Sequence, residues 1–183
     1  MKKILVMTVA MLAMAFAFTS CGSDDDDEIG GGSSAKEVCR LYFFDNGSQY
    51  LNRQYKLTVG TETKIIKIDD LKKETVAPES VESDAKVQLN EAKADGKTVN
   101  IYSYDVPATM HGDATLKSDF SVKDGVELPE KVDVLISGYI CTGDEHRLQG
   151  HGNFFFMGGL AKDGVQGYLD RRNGSSLGSC SLK

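Results

Sequence analysis

From residue 38 onward the chain is a succession of short runs rich in Val, Ile, Tyr, Phe and Thr, each cut by a glycine or an Asn/Asp-Gly pair. That rhythm predicts an all-β, mainly antiparallel domain. Strands are expected over 38–44, 53–59, 63–68, 98–104, 115–122, 132–141, 146–157, 165–169 and 177–182. In 132–141, Val132, Val134 and Ile136 alternate onto one face. Asp45-Asn46-Gly47-Ser48 has the composition of a hairpin turn between the first two runs. Ser34 and Glu37 stand at capping-box spacing and offer a helix start in competition with the first strand, which the β-rich run still favours.

One segment breaks the rhythm. Over 79–95, Val81, Ala85, Leu89 and Ala92 recur at spacings of three and four, with Pro78 before them and Gly96 after, which predicts an amphipathic helix. Alternation of Ala85, Val87 and Leu89 leaves a strand open there. Some nine strands and one helix suit either a β-sandwich or a small closed β-barrel. Lys123-Asp124-Gly125-Val126 is echoed by Lys162-Asp163-Gly164-Val165, and two Asp-Gly hairpin turns account for the echo more simply than an internal repeat does.

The first 28 residues have a different logic. Lys2-Lys3 precede an apolar run over 4–18, too short for a permanent membrane span but suited to a cleavable signal. Thr19-Ser20 then precede Cys21, and Ser23-Asp24-Asp25-Asp26-Asp27-Glu28 follow almost at once. This stretch resembles the start of the surface-exported lipoproteins of the Bacteroidetes type. The resemblance covers residues 1 to 28 only, and Phe18 departs from the Leu usual three residues before the cysteine. It implies that residues 1–20 are removed, that Cys21 becomes a lipid-bearing N-terminus, and that Ser23 with Asp24, Asp25, Asp26, Asp27 and Glu28 directs the protein to the outer face of the outer membrane. Several acyl chains would anchor it stably where one would not. The bare alternative is an ordinary signal with an incidental Cys21 and a solvated acidic tail.

With Gly30-Gly31-Gly32-Ser33-Ser34 read as a flexible tether, the expected organisation is a signal peptide at 1–20, a lipidated tether at 21–35 and a single domain at 36–183. Removing residues 1–20 leaves 19 basic against 27 acidic side chains, a net charge of −8. Asp24 to Glu28 carry five of those negatives, so residues 29–183 stand at only −3. No basic stripe is present, which argues against a nucleic-acid partner.

Cys39, Cys141 and Cys180 are the candidates for one disulfide, and the shorter loop favours Cys141 with Cys180. Three buried thiols are the alternative. His111, His146 and His151 are the only histidines, and Asp144-Glu145-His146 with His151 is the densest group of potential ligands. On one strand, positions 146 and 151 face opposite sides, so no metal site is expected, and no cofactor is implied. No G-x-S-x-G or Cys-His pattern marks a nucleophile. Phe154-Phe155-Phe156-Met157 reads as a central strand buried on both faces, or else as a patch facing a ligand. Tyrosines 42, 50, 55, 102, 104, 139 and 168 offer stacking platforms, although there is no Trp. The expectation is a lipid-anchored, non-enzymatic binding domain whose ligand is a glycan, a small hydrophobic molecule or a surface protein. An adhesive or structural subunit is the second version. A hydrolase built on Asp144, Glu145 and His146 is the alternative class.

Overall fold

The computed structural model describes residues 39–76, 96–142, 147–148 and 153–182, together with Val81, Lys86 and Asn90. The compact unit that contains them is Ala35–Lys183. Its strands are Cys39–Asp45 (β1), Leu51–Val59 (β2), Glu62–Lys67 (β3), Lys72–Glu74 (β4), Asn100–Asp105 (β5), Gly112–Val122 (β6), Lys131–Thr142 (β7), Arg147–Leu148 (β8), Asn153–Ala161 (β9) and Ser176–Leu182 (β10). One short α-helix, Val165–Arg172 (α1), precedes the last strand.

All pairings are antiparallel and fall into two sheets. One runs β4-β5-β1-β7, with β8 and β9 both pairing with β7, and the other runs β10-β6-β2-β3. Among the described residues no strand pairs from one sheet to the other, so the molecule is a sandwich and not a closed barrel. The edges suit this outcome, because β4 is three charged residues and β3 carries Glu62, Lys64 and Lys67, which discourage further pairing.

Alternation decides which residues enter the core. On β2, Leu51, Arg53, Tyr55, Leu57 and Val59 are buried, while Asn52, Gln54, Lys56 and Thr58 face outward. Leu41 and Phe43 of β1, with Val132, Val134 and Ile136 of β7, meet that face between the sheets. Sheet-on-sheet packing of this kind is the source of most apolar burial in a sandwich. Tyr42 and Phe44 of β1 point to the other side of their sheet, where Leu135, Tyr139, Phe154 and Val81 form a second cluster. Val81, Lys86 and Asn90 are helical, as the 79–95 periodicity predicts, and fully buried Val81 belongs to that cluster. Gly96 sits at φ +70°, the left-handed conformation expected just past a helix end.

Four local expectations are corrected. Asp45-Asn46-Gly47-Ser48 is no hairpin, since β1 and β2 belong to different sheets; the segment is a crossover held by side chains. The tight hairpin lies at Gly60-Thr61, between β2 and β3. There Gly60 has φ +55°, and a Cβ would stand 3.1 Å from the His111 carbonyl oxygen, so both conformation and space demand glycine. Residues 165–169 are helical and not a strand, because Val165, Tyr168 and Leu169 recur at helical spacing and all three are buried. Neither Asp-Gly echo is a hairpin. Asp124-Gly125 turns the chain between sheets, and Lys162–Gly164 is a 3₁₀ turn leading into α1. The 146–157 run is two strands, β8 and β9, laid successively along β7.

At Gly138 of β7 the facing sheet leaves no room for a side chain: a Cβ there would lie 2.5 Å from Leu116 Cδ2 and 3.5 Å from Leu177 Cβ. Leu116 and Leu177 are both fully buried. Gly138→Ala is therefore expected to destabilise the domain by about 1–3 kcal/mol through overpacking, with Leu116→Val in the same chain recovering part of the loss. Urea denaturation of the single and double variants reads this directly, and an unchanged midpoint for Gly138→Ala would contradict the packing.

Candidate functional site

The most chemically loaded place in the described structure is built around Arg53. Strict alternation on β2 sends its guanidinium inward, where it forms ion pairs with Asp45 at the end of β1 and Asp69 in the 3₁₀ turn Ile68–Asp70. Arg53 and Asp45 are 8% and 1% exposed, whereas Asp69 is 63% exposed. The Gly47 N–H donates to Asp45 Oδ2 at 2.8 Å, which bends the chain into the crossover. Asp45 Oδ1, Arg53 Nε and Ser48 Oγ have no protein partner. Burial pushes the Asp45 carboxyl above its ordinary range, and the charge of Arg53 and the Gly47 N–H oppose that shift only in part.

Two neighbouring arrangements complete this end of the sandwich. Asn46 Nδ2 donates to the Asp133 carbonyl at 2.8 Å, and the Asp133 carboxylate accepts from Lys97 Nζ at 2.6 Å and from the Gly159 N–H at 2.7 Å. Asp133 lies at the register shift between β7 and β9 and holds the shifted strand in place. Behind them the Tyr55 hydroxyl accepts from the Ser137 N–H at 3.5 Å, and Ser137 Oγ both accepts from the Phe44 N–H and donates to its carbonyl. These contacts hold backbone and charge together across the sheets. With both reactive ends of the Arg53–Asp45 pair buried, the arrangement is suited to fixing the chain and not to meeting a substrate. Alternation in the sequence carries the signal for it, as a charged residue at an apolar position of a strand.

The sequence-derived candidates are dispersed. Tyr42, Tyr55, Tyr139 and Tyr168 are buried in the core, so only Tyr50, Tyr102 and Tyr104 keep partly accessible rings, and the seven-tyrosine platform does not exist. Tyr102 and Tyr104 themselves pack against the inter-sheet core. The Phe154–Met157 run is not a central strand: β9 pairs only with β7 among the described residues, and its side chains divide between the two faces. Phe154 and Phe156 join the outer cluster, Phe155 packs toward the inter-sheet core beneath Arg172, whose guanidinium carbon lies 4.3 Å from the ring centroid, and Met157 is exposed. His111 is exposed just before β6, beside Gly60. Asp144, Glu145, His146 and His151 lie outside the described residues, as do Cys21 and Ser23 to Glu28. Among the described residues no group of three or more His, Cys, Asp or Glu could hold a metal ion.

The outer face of the four-stranded sheet is the broad solvated surface. Gln54, Lys56, Thr58, Thr115, Lys117 and Asp119 lie along it in register, so that Lys56 stands opposite Lys117 and Thr58 opposite Thr115. Such a face offers hydrogen bonds and charge without an aromatic ring. No protein-family model, curated protein or solved structure matches the chain.

The buried pair has a measurable signature. Arg53→Met should cost about 3–5 kcal/mol because it leaves Asp45 buried and uncompensated, whereas Asp69→Asn at the exposed end should cost less than about 1 kcal/mol. The joint Asp45→Leu, Arg53→Met chain should recover most of the loss. The Arg53→Met penalty should shrink as pH falls, beginning above the ordinary carboxylate range, because burial raises the Asp45 carboxyl and a proton then removes the stranded charge. Equal losses for Arg53→Met and Asp69→Asn in denaturant titrations would contradict this assignment.

Proposed function

We propose that this chain is a lipid-anchored protein of the outer-membrane surface, in which Cys21 carries the lipid, residues 21–35 form the tether and the sandwich acts by binding. The observation that carries the reading is the order of Lys2-Lys3, the apolar run at 4–18, Cys21 and the acidic run from Asp24 to Glu28. The chemistry is self-consistent: a cysteine supplies the nucleophile for lipid attachment, and a Gly/Ser tether lets a folded unit clear the bilayer. The open hydroxyl, amide and lysine face of the four-stranded sheet favours a polar ligand, a glycan or another surface protein, over a small hydrophobic molecule.

Cys21→Ala should leave the protein unlipidated and shift it from the membrane fraction to the soluble fraction. Replacing Asp24 to Glu28 with alanines should keep the lipid but shelter the protein from protease applied to whole cells. Membrane partitioning of Cys21→Ala identical to that of the parent chain would reject the anchor. Equal protease sensitivity of the acidic-run variant and the parent would reject the export role of that run.

A further inference from the structure

We propose that the outer face of the smaller sheet binds a polysaccharide that bears carboxylates, with Lys56 and Lys117 meeting those carboxylates and a row of side-chain hydroxyls meeting the sugar hydroxyls. The proposal rests on the reading of the sandwich as a binding domain and names the class of ligand this face takes. Lys56 of β2 and Lys117 of β6 stand directly opposite one another in register, and both are exposed. Like charges so placed repel and cost stability. Lys67 of β3, opposite Gln54, adds a third exposed ammonium on the same face. Arg40, Arg53, Lys72, Lys97 and Lys162 each have a carboxylate partner, whereas these three lysines have none among the described residues. The carboxylate nearest to them in register, Asp119, lies opposite Gln54 and offsets a single charge. This local excess of cations stands on a domain with 19 basic and 22 acidic residues over 29–183, so it does not follow from overall charge. An anionic partner complements the face and relieves the repulsion.

Beside the lysine pair runs a row of hydroxyls, one from each strand. Ser179 of β10 is opposite Thr115 of β6, Thr115 is opposite Thr58 of β2, and Thr58 is opposite Thr63 of β3. The Oγ1 atoms of Thr58 and Thr63 are 3.2 Å apart, within hydrogen-bond distance. With neighbouring strands about 4.8 Å apart, the row spans about 14 Å, the reach of a polymer and not of one sugar ring. Each ammonium is a point charge with three donors, and each hydroxyl both donates and accepts. A chain of uronic acids presents the matching set, carboxylates for the lysines and hydroxyls for the row. An acidic polypeptide supplies the charge without the ring hydroxyls. Among the described residues no aromatic side chain lies on this face, which leaves a neutral glycan without a stacking platform.

The test is calorimetric titration of the full chain, purified in detergent, with three polymers: polygalacturonate, its methyl ester as the neutral twin, and polyglutamate as the acidic polypeptide. Polygalacturonate should bind, more weakly as salt is raised, while the methyl ester should not and polyglutamate should bind less tightly. Lys56→Gln with Lys117→Gln should lower the affinity for polygalacturonate about tenfold. The thermal midpoint of that chain should hold or rise, because the repulsion is gone. Lys73→Gln with Lys131→Gln removes the same charge from exposed positions of the larger sheet and should leave the affinity unchanged. Equal losses in the two double variants, or polyglutamate binding as tight as polygalacturonate, would overturn the proposal. Binding of the methyl ester as tight as that of the acid would overturn the anionic class while upholding the sandwich as a glycan-binding domain. No binding to any of the three polymers would overturn the proposal too, and the partitioning of Cys21→Ala then judges the anchor on its own.

Discussion

Leu41 and Phe43 enter the core between the sheets while Tyr42 and Phe44, on the same strand, enter a second cluster on the opposite side. A strand buried on both faces cannot be satisfied by one partner sheet. The smaller sheet covers the first side, with the Phe43 and Tyr55 rings 4.5 Å apart and Tyr55 in turn edge-on to Phe120 at 5.3 Å. The second side is covered by Tyr139 and Phe154 around Phe44, at 5.6 and 5.9 Å, and by Val81 of the helical segment. Each large apolar side chain so buried contributes about 1.5–3 kcal/mol before entropy is counted, so these rings dominate the favourable side of folding. The polar groups trapped among them are mostly matched: Ser137 Oγ bonds both backbone groups of Phe44, next to the point where the β1–β7 ladder ends.

The Arg53–Asp45 pair belongs to this picture as a register device. Asp45 closes β1 and Arg53 sits early in β2, so the pair fixes how the chain leaves one sheet and enters the other. A hydrophobic pair of equal volume would pack there at similar or better stability but would not specify one crossover. On the strand next to Arg53 a comparable task falls to Asn173, whose side-chain amide accepts from the N–H of Phe120, the residue opposite Arg53, at 2.8 Å and donates to its carbonyl at 2.7 Å. It extends the edge of β6 beyond the end of β10 and docks α1 onto the sandwich.

Strand content was legible because alternation on β2, β6 and β7 is strong and local. What escaped was set by tertiary context. Val165-Gln166-Gly167-Tyr168-Leu169 has strand-like composition, yet burial of positions 165, 168 and 169 selects a helix. Lys72-Lys73-Glu74 carries no apolar signal and is a strand only because β5 offers an open edge. An Asp-Asn-Gly sequence specifies a bend but not whether the next strand pairs with the last. Arg53 was readable in principle as a charge within an apolar alternation. The signal for the proposed anchor lies wholly in the sequence, in residues that share no periodicity with the sandwich.

The architecture and the proposed anchor make complementary demands on the chain: a sandwich whose smaller sheet has a polar outer face, and a leader proposed to place it at the membrane. The mass of the N-terminal peptide of the mature protein, taken from membranes of the cells that make it, tests the central claim most directly. A lipid-anchored chain yields a peptide that begins at Cys21 and carries the added mass of its acyl groups. A peptide that begins at another residue, or at Cys21 with an unmodified thiol and amine, would contradict it.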